Sequence, residues 1–228
     1  MSSAVNFKSY IAEGPEDPAI FKAVFLAGGP GSGKSFVVGK TSLISLGFKL
    51  INSDDAFEKG LKKAGLTMDP DDIFSVKGQE VRGKAKALTQ IKMDMALKGR
   101  QGLVIDGTGK DYNKIKKQVD MLRKIGYAVH MIFVNTDLNT ALDRNRARPR
   151  SLPDDQVKKM WSEVQNNIGK FQGLFRNRMT IVDNSVGSNI DQATMVAYKD
   201  IKAWSNRPPE NTLAIKWIKQ ARAGKQNA

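Results

Sequence analysis

Residues 28–35 read Gly-Gly-Pro-Gly-Ser-Gly-Lys-Ser, which fits the pattern G-x-x-x-x-G-K-[ST] with Gly28, Gly33, Lys34 and Ser35 at the fixed positions. A loop of this composition can turn successive backbone N–H groups inward around a phosphate, because glycine reaches the required conformations at little steric cost. A helix starting at the end of the loop adds its positive N-terminal end. The pattern therefore demands a buried strand before it and a helix after it. Both are legible: Val24-Phe25-Leu26-Ala27 is apolar, and Phe36 to Ser45 has helical character. By average residue frequencies, chance produces the pattern in roughly one chain in a hundred of this length. The bland alternative is a flexible Gly-rich loop, and the flanking context argues against it. Gly28, Gly29, Pro30, Gly31, Ser32, Gly33, Lys34 and Ser35 are thus candidates to cradle the phosphates of ATP. Lys34 can reach the β- and γ-phosphates, and the Ser35 hydroxyl can ligate Mg²⁺.

The same alternation continues along the chain. Apolar runs of strand length lie at Phe21–Ala27, Phe48–Asn52, Leu103–Asp106, Ala128–Val134 and Thr180–Asp183. Between them, Lys34–Ser45, Asp55–Ala64, Gly78–Lys98, Tyr112–Ile125 and Leu138–Ala147 have helical patterning. This predicts an α/β three-layer sandwich with a mostly parallel, five-stranded sheet. A further helix is expected from Pro153 to about Lys170, with Pro153 as a first helical residue and Asp154 and Asp155 in the first turn. Two more C-terminal helices follow, broken by Arg207-Pro208-Pro209, and Ala223 to Ala228 look frayed. The expected organisation is an N-terminal arm (1–20), a nucleotide-binding domain (21–187) with a lid around 144–153, and a basic helical extension (188–228).

Composition narrows the chemistry. The chain of 228 residues suits one ordinary globular domain. It has no cysteine and one histidine, His130, which leaves no disulfide, no Cys-based zinc site and little room for a Ser-His triad. No stretch spans a membrane, and Met1–Tyr10 lacks secretory character, so a cytoplasmic location is expected. The net charge of +14 comes from 37 Lys and Arg against 23 Asp and Glu. A positive field raises encounter rates with polyanions, and nucleic acid is an expected partner. Solubility alone is the plain alternative. Lys110, Lys114, Lys116, Lys117, Arg123 and Lys124 form the best candidate track, though a solvated surface helix would look the same.

Two acidic positions end predicted strands, where ligands of open parallel sheets sit. Asn52-Ser53-Asp54-Asp55 follows the second strand, and Asp106 ends the third, before Gly107-Thr108-Gly109. Phosphoryl transfer to a hydroxyl needs one carboxylate to take the proton and another to hold Mg²⁺. Asp54 is assigned the first role and Asp106 the second, with Asp55 and Thr108 beside the acceptor. The structural alternatives are a helix cap, assigned mainly to Asp55, and a turn aspartate for Asp106. A phosphatase pattern of the type Asp-x-Asp-Gly-Thr fails, because its nucleophile would fall on Val104.

Arg144, Arg146, Arg148 and Arg150 occur at alternate positions. Arg144 and Arg148 share a helix face, and guanidinium groups stabilise charge on a transferring phosphoryl group. Arg146 and Arg150 would face elsewhere, toward ATP or an acidic substrate. A solvated basic helix with Asp143 as partner is the alternative. Pro149 and Pro153 suggest a loop able to close over the site. His130, in an apolar run, fits a buried hydrogen-bonded residue better than a base. Met93, Met95 and Met131 are expected in the core. Trp161, Trp204 and Trp217 are expected as packing anchors rather than stacking platforms for bases.

The ordered set Gly28–Ser35, Asn52–Asp55, Val104–Thr108 and Arg144–Pro153 resembles the P-loop kinases of the polynucleotide kinase and zeta-toxin group, an AAA-type P-loop domain, over roughly residues 21–183. The resemblance implies that Asp54 is the catalytic base, that Lys34 and Ser35 serve ATP and Mg²⁺, and that Arg144 and Arg148 are lid arginines. It implies transfer to a nucleic acid 5′-hydroxyl, a UDP-sugar hydroxyl, a small metabolite or, as in related phage enzymes, a hydroxymethylated base in DNA. Phage-type polynucleotide kinases carry an arginine three residues after the catalytic aspartate, and this chain has Phe57 there. The leading expectation is an ATP-dependent kinase acting on a nucleic acid hydroxyl. The alternatives are a small-molecule kinase of zeta-toxin type, acting on a UDP-sugar or nucleoside, and an ATP-binding regulator without turnover.

Overall fold

The computed structural model describes residues 14–148 and 151–226. Its sheet has five strands, β1 (Lys22–Ala27), β2 (Lys49–Ile51), β3 (Leu103–Asp106), β4 (Ala128–Asn135) and β5 (Met179–Asp183). Their order is β2-β3-β1-β4-β5, and every pairing is parallel. Central β1 pairs Val24 with Val104 on one side and His130 on the other. The chain therefore leaves β1 toward one edge and later returns to fill the other. Such a reversal opens a crevice at the C-terminal ends of the strands, where the Gly28–Ser35 loop begins.

Among the described residues ten helices accompany the sheet: α1 (Lys34–Lys40), α2 (Asp54–Lys63), α3 (Pro70–Phe74), α4 (Val76–Lys98), α5 (Tyr112–Lys124), α6 (Leu138–Arg146), α7 (Asp154–Gln165), α8 (Ile168–Phe175), α9 (Ile190–Ser205) and α10 (Thr212–Gln226). Period-two alternation along the strands divides the core in two. Phe25, Ile105, Met131 and Phe133 point to the side packed with Val119, Leu122 and Phe171. Val24, Leu26, Val104, Ile132 and Val134 point to the side packed with Val37, Ile201 and Trp204. Strands apolar on both faces need helices on both faces, so the expected three layers follow from burial itself.

The strands lie within a residue or two of the expected runs, whereas several helices differ. The first ends at Lys40. Thr41 bonds back to the Val37 carbonyl, Ser42 adopts a left-handed conformation (φ 45°), and a 3₁₀ turn covers Leu43–Leu46. The helix expected over 153–170 stops at Gln165 and restarts at Ile168. Between them, the Asn167 amide leaves the helix pattern to donate to the Gly109 and Lys110 carbonyls. Pro153 stands just outside α7 as its N-cap, with Asp154 and Asp155 in the first turn as expected. Helix α10 continues to Gln226 through part of the segment read as frayed, since Ala214, Trp217 and Ile218 pack on the core. Short α3 was not anticipated; Pro70 opens it after an extended Asp69.

Met93 and Met131 are buried, but Met95 is 67% exposed, because α4 turns that face to solvent. Trp204 stacks on Phe48, and Trp217 meets Phe21 edge-on. Trp161 donates to the Thr136 carbonyl. The tryptophans thus pack and fasten.

His130 is fully buried, with Nε2 3.0 Å from Thr180 Oγ1. Burial pulls its pKa down to about 4, against the pull of Asp200 and with help from Arg178. Above the ordinary imidazole pKa of about 6.5, both folded and unfolded states hold it neutral. Between about 6.5 and 4 only the unfolded chain takes the proton, so stability falls as pH falls through that window. The loss attributable to His130 is at most about 3 kcal/mol. Urea titrations at pH 7 and 4.5 should show a smaller acid loss for His130→Gln than for the native chain. Equal losses would remove His130 from the account.

Candidate active site

The Gly28–Ser35 loop closes on its own lysine. Lys34 Nζ donates to the Gly28 carbonyl at 2.7 Å, with Gly29 O at 3.5 Å. Gly31 and Gly33 take φ values of 73° and 85°, which L side chains resist. Space is also short at both, against backbone at Gly31 and against a side-chain amide at Gly33. A Cβ on Gly31 would lie 2.4 Å from the Ala141 carbonyl of α6, and one on Gly33 would lie 2.2 Å from Asn184 Nδ2. The loop is therefore held between α6 and the end of β5. Gly33→Ala should lower stability by about 1–2 kcal/mol from the backbone alone, with the Asn184 collision added. A thermal melt together with ATP titration checks this; an unchanged melting temperature would contradict it.

The carboxylates gather around this loop. Asn52, at the end of β2, donates through Nδ2 to Asp106 Oδ2 at 2.8 Å and accepts through Oδ1 from the Asp54 backbone N–H at 2.8 Å. One amide thus fixes Asp106 and the start of α2. Asp106 Oδ1 is buried without a hydrogen-bond partner. Burial raises the Asp106 pKa, with Lys34 opposing and Asp54 adding to the rise. Burial also lowers the Lys34 pKa, while Asp106 and Asp54 raise it and Arg148 lowers it. Lys34, Asp54, Asp106 and Arg148 therefore share one electrostatic neighbourhood. Asp54 and Asp55 both occupy the first turn of α2, and Ser53 is the N-cap. Asp55 is therefore not the cap; its carboxylate complements the helix dipole. Thr108 gives its carbonyl to the Gly28 N–H at 3.1 Å, tying the loop after β3 to the phosphate loop. A cleft of about 220 Å³ beneath that connection is lined in part by Asp106, Thr108, Lys110 and Lys114.

The arginines separate into three roles. Arg144 donates to the Asn184 backbone carbonyl (2.9 Å) and to Asn184 Oδ1 (3.3 Å). The Asn184 amide in turn donates to the Ser32 carbonyl at 2.8 Å. Arg144 is thereby tethered to the phosphate loop through Asn184. Arg146 bonds Asp143 and Asp154, and the two carboxylates draw it across α6 and α7. Arg148 is exposed and has no hydrogen bond or ion pair with any described residue. Pro149 and Arg150 lie outside the described residues. Asn145 closes the connection from both sides, donating to the Leu152 carbonyl (2.7 Å) and accepting from its N–H (3.0 Å).

Sequence reasoning missed Asn52, Asn145 and Asn184 as organisers. Asn52 stands in the acidic segment Asn52-Ser53-Asp54-Asp55, and two hydrogen-bonding ends on one short side chain are its only signal.

A family model described as an AAA domain matches residues 24–166, more than half of the chain and including the phosphate loop, both carboxylates and α6. The chain belongs to this AAA-domain family. Its fold is the P-loop, kinase-like α/β fold. A chain of the PezAT chromosomal toxin–antitoxin system of Streptococcus pneumoniae is 15% identical, with TM-score 0.54, covering 88% of this chain and 93% of that one. A putative kinase from Chloroflexus aurantiacus is 12% identical, with TM-score 0.53, covering 80% and 97%. A chain of the Pnkp1/Rnl/Hen1 RNA repair complex is 19% identical, with TM-score 0.50, covering 67% of this chain and 46% of that one. No curated protein sequence matches the chain.

For an AAA-domain protein of this type the donor set fits Mg²⁺. Among the described residues no group of three or more His, Cys, Asp and Glu could hold a metal alone. Mg²⁺ sites commonly use one or two protein oxygens and complete themselves with phosphates. The orphaned Asp106 Oδ1 and the Ser35 hydroxyl, which makes no hydrogen bond with described residues, are such oxygens. Among the described residues no helix is long and apolar enough to cross a membrane.

Proposed function

We propose that this chain transfers the γ-phosphate of ATP to a hydroxyl group of a nucleic acid. The observation that carries the transfer chemistry is the gathering of Lys34, Asp54 and Asp106 beyond the C-terminal ends of β1, β2 and β3, where Asn52 ties Asp106 to the start of α2 and leaves Asp106 Oδ1 without a partner. The loop N–H groups and Lys34 hold the phosphates of ATP. Ser35 and Asp106 would hold Mg²⁺, which neutralises phosphate charge when bound. Asp54 orients the acceptor hydroxyl and takes its proton as the new bond forms. Arg148 meets the charge that spreads over the phosphoryl oxygens. Arg144 keeps Asn184 and the loop in place.

The nucleic acid acceptor is supported by charge. Lys110 and Lys114 line the cleft beside Asp106, and α5 carries basic residues onward from it. Lys116 is paired with Asp120, and Arg123 donates to the Leu174 carbonyl, so the outward track reduces to Lys110, Lys114, Lys117 and Lys124. Surface cations that meet phosphates make binding fall steeply with salt.

The test offers γ-labelled ATP with 5′-hydroxyl DNA and RNA, duplex DNA bearing hydroxymethylated bases, nucleosides and a UDP-sugar. Label on a polymer, with activity declining steeply as salt rises, supports the proposal. Label on a small molecule alone contradicts the acceptor class. ATP binding with no labelled product on any acceptor points to a regulator without turnover.

A further inference from the structure

One basic group beside Asp54 is unused by this mechanism. Arg82, on α4, lies with its guanidinium 4.7 Å from the Phe57 ring centroid. Its Nε is buried without a hydrogen-bond partner. The guanidinium makes no hydrogen bond or ion pair with any described residue. Among the described residues, no carboxylate comes within ion-pair distance of it, Asp54 included. A cavity of about 70 Å³ is bounded by Ser53, Asp54, Phe57, Arg82, Ala85 and Lys86.

The packing holds this arrangement in place. A Cβ on Gly60 of α2 would lie 2.6 Å from Val81 Cγ1, and one on Gly78 would lie 2.1 Å from the Asp72 carbonyl. Helices α2 and α4 therefore meet at close range one residue before Arg82, and α4 is set against α3 one turn earlier. Phe57 is buried beneath the guanidinium. A planar cation on an aromatic face keeps its orientation, so its donors are aimed before any ligand arrives. Two cations against one carboxylate, around a space of a few atoms, suit a single oxyanion. The reactive alcohol itself is neutral and does not call for them.

We infer that Arg82 and Lys86 form an oxyanion subsite that holds a phosphate of the acceptor beside the hydroxyl engaged by Asp54, an inference resting on the phosphotransfer reading above. In a nucleic acid this is the backbone phosphate nearest the reactive hydroxyl. Arg82 reads the anion as a fork and Lys86 as a point charge. An alcohol without a nearby phosphate leaves the cavity cationic and binds in many orientations.

Two measurements on the full chain test it. With the phosphate loop filled by ADP and Mg²⁺, inorganic phosphate is titrated while the Arg82 Nε–H resonance is followed. The resonance should shift saturably, with affinity falling about tenfold or more in Lys86→Gln. Separately, γ-labelled ATP is offered with a 5′-hydroxyl oligonucleotide whose first linkage is either the native phosphodiester or a neutral methylphosphonate. The native chain should prefer the phosphodiester by about tenfold or more in kcat/KM. Arg82→Met keeps the stem on Phe57 but loses the donors, and should bring the preference to about one. Lys86→Gln, at an exposed position that cannot disturb the core, should reduce it partway.

A silent resonance, together with equal use of both oligonucleotides by the native chain, overturns the subsite and leaves phosphotransfer standing. A shifted resonance with no labelled product does the reverse. If Arg82→Met slows both oligonucleotides equally with the preference intact, Arg82 is only structural.

Discussion

Arg148→Ala should lower kcat by about a thousandfold, equivalent to about 4 kcal/mol of transition-state stabilisation, while ATP affinity changes only a few-fold. The contrast with Arg144 carries the argument. The Arg144 donors are engaged by Asn184, so moving them to a phosphoryl group would break bonds that brace the phosphate loop. Arg148 has no such engagement among the described residues, yet its charge is felt at Lys34, where burial lowers the pKa, Asp106 opposes and Arg148 adds to the lowering. A guanidinium near the phosphate lysine and free of other partners can meet charge that appears only during transfer, and such contacts raise kcat rather than binding. Arg144→Ala should instead weaken ATP binding and lower the melting temperature. Single-turnover rates at saturating ATP separate the two. A loss below tenfold in Arg148→Ala would remove it from the chemistry.

Asp54→Asn should reduce the transfer rate by about a hundredfold to ten-thousandfold, the range for removal of a positioned base. The substitution is nearly isosteric. The N–H of residue 54 keeps its bond to Asn52 Oδ1, so α2 should start unchanged and the protein should still fold and bind ATP. Asp106→Asn should behave differently. Its Oδ2 accepts from Asn52, and its Oδ1 is the buried oxygen without a partner. Loss of that charge should therefore raise the Mg²⁺ concentration needed for half-maximal activity. Rates measured over a Mg²⁺ series distinguish them: Asp54→Asn should stay slow at every concentration, whereas added Mg²⁺ should partly restore Asp106→Asn. Restoration of Asp54→Asn by Mg²⁺ would reverse the two assignments.

The features that sequence revealed are those whose cause is local. Val24–Ala27 and Ile132–Val134 are apolar without interruption because both faces of their strands are covered, and such runs are visible to inspection. The phosphate loop was legible because its whole function is packed into eight consecutive residues. Helix ends were less so. Ser42 ends the first helical segment by a left-handed backbone that serine does not advertise, and Asn167 interrupts another to reach carbonyls 57 and 58 residues away in sequence. Met95 sits four residues from the solvent-facing Ile91 and two from buried Met93, and α4 has no apolar periodicity sharp enough to separate them. In the site, Asp54 and Asp106 could be found as acids at strand ends. Asn184 could not, because its importance arises from Ser32, 152 residues earlier, and from Arg144. Arg82 was invisible for the same reason: only the packing of α4 on α2 lays it over Phe57 beside Asp54.

The most direct measurement is transfer of label from γ-labelled ATP to 5′-hydroxyl DNA, 5′-hydroxyl RNA and hydroxymethylated DNA, with the native chain and Asp54→Asn compared at saturating ATP. Labelled polymer from the native chain, cut by a hundredfold or more in Asp54→Asn while both bind ATP alike, is the expected result. Equal labelling by the two proteins would contradict the assignment of Asp54, and labelling by neither would contradict the nucleic acid kinase itself.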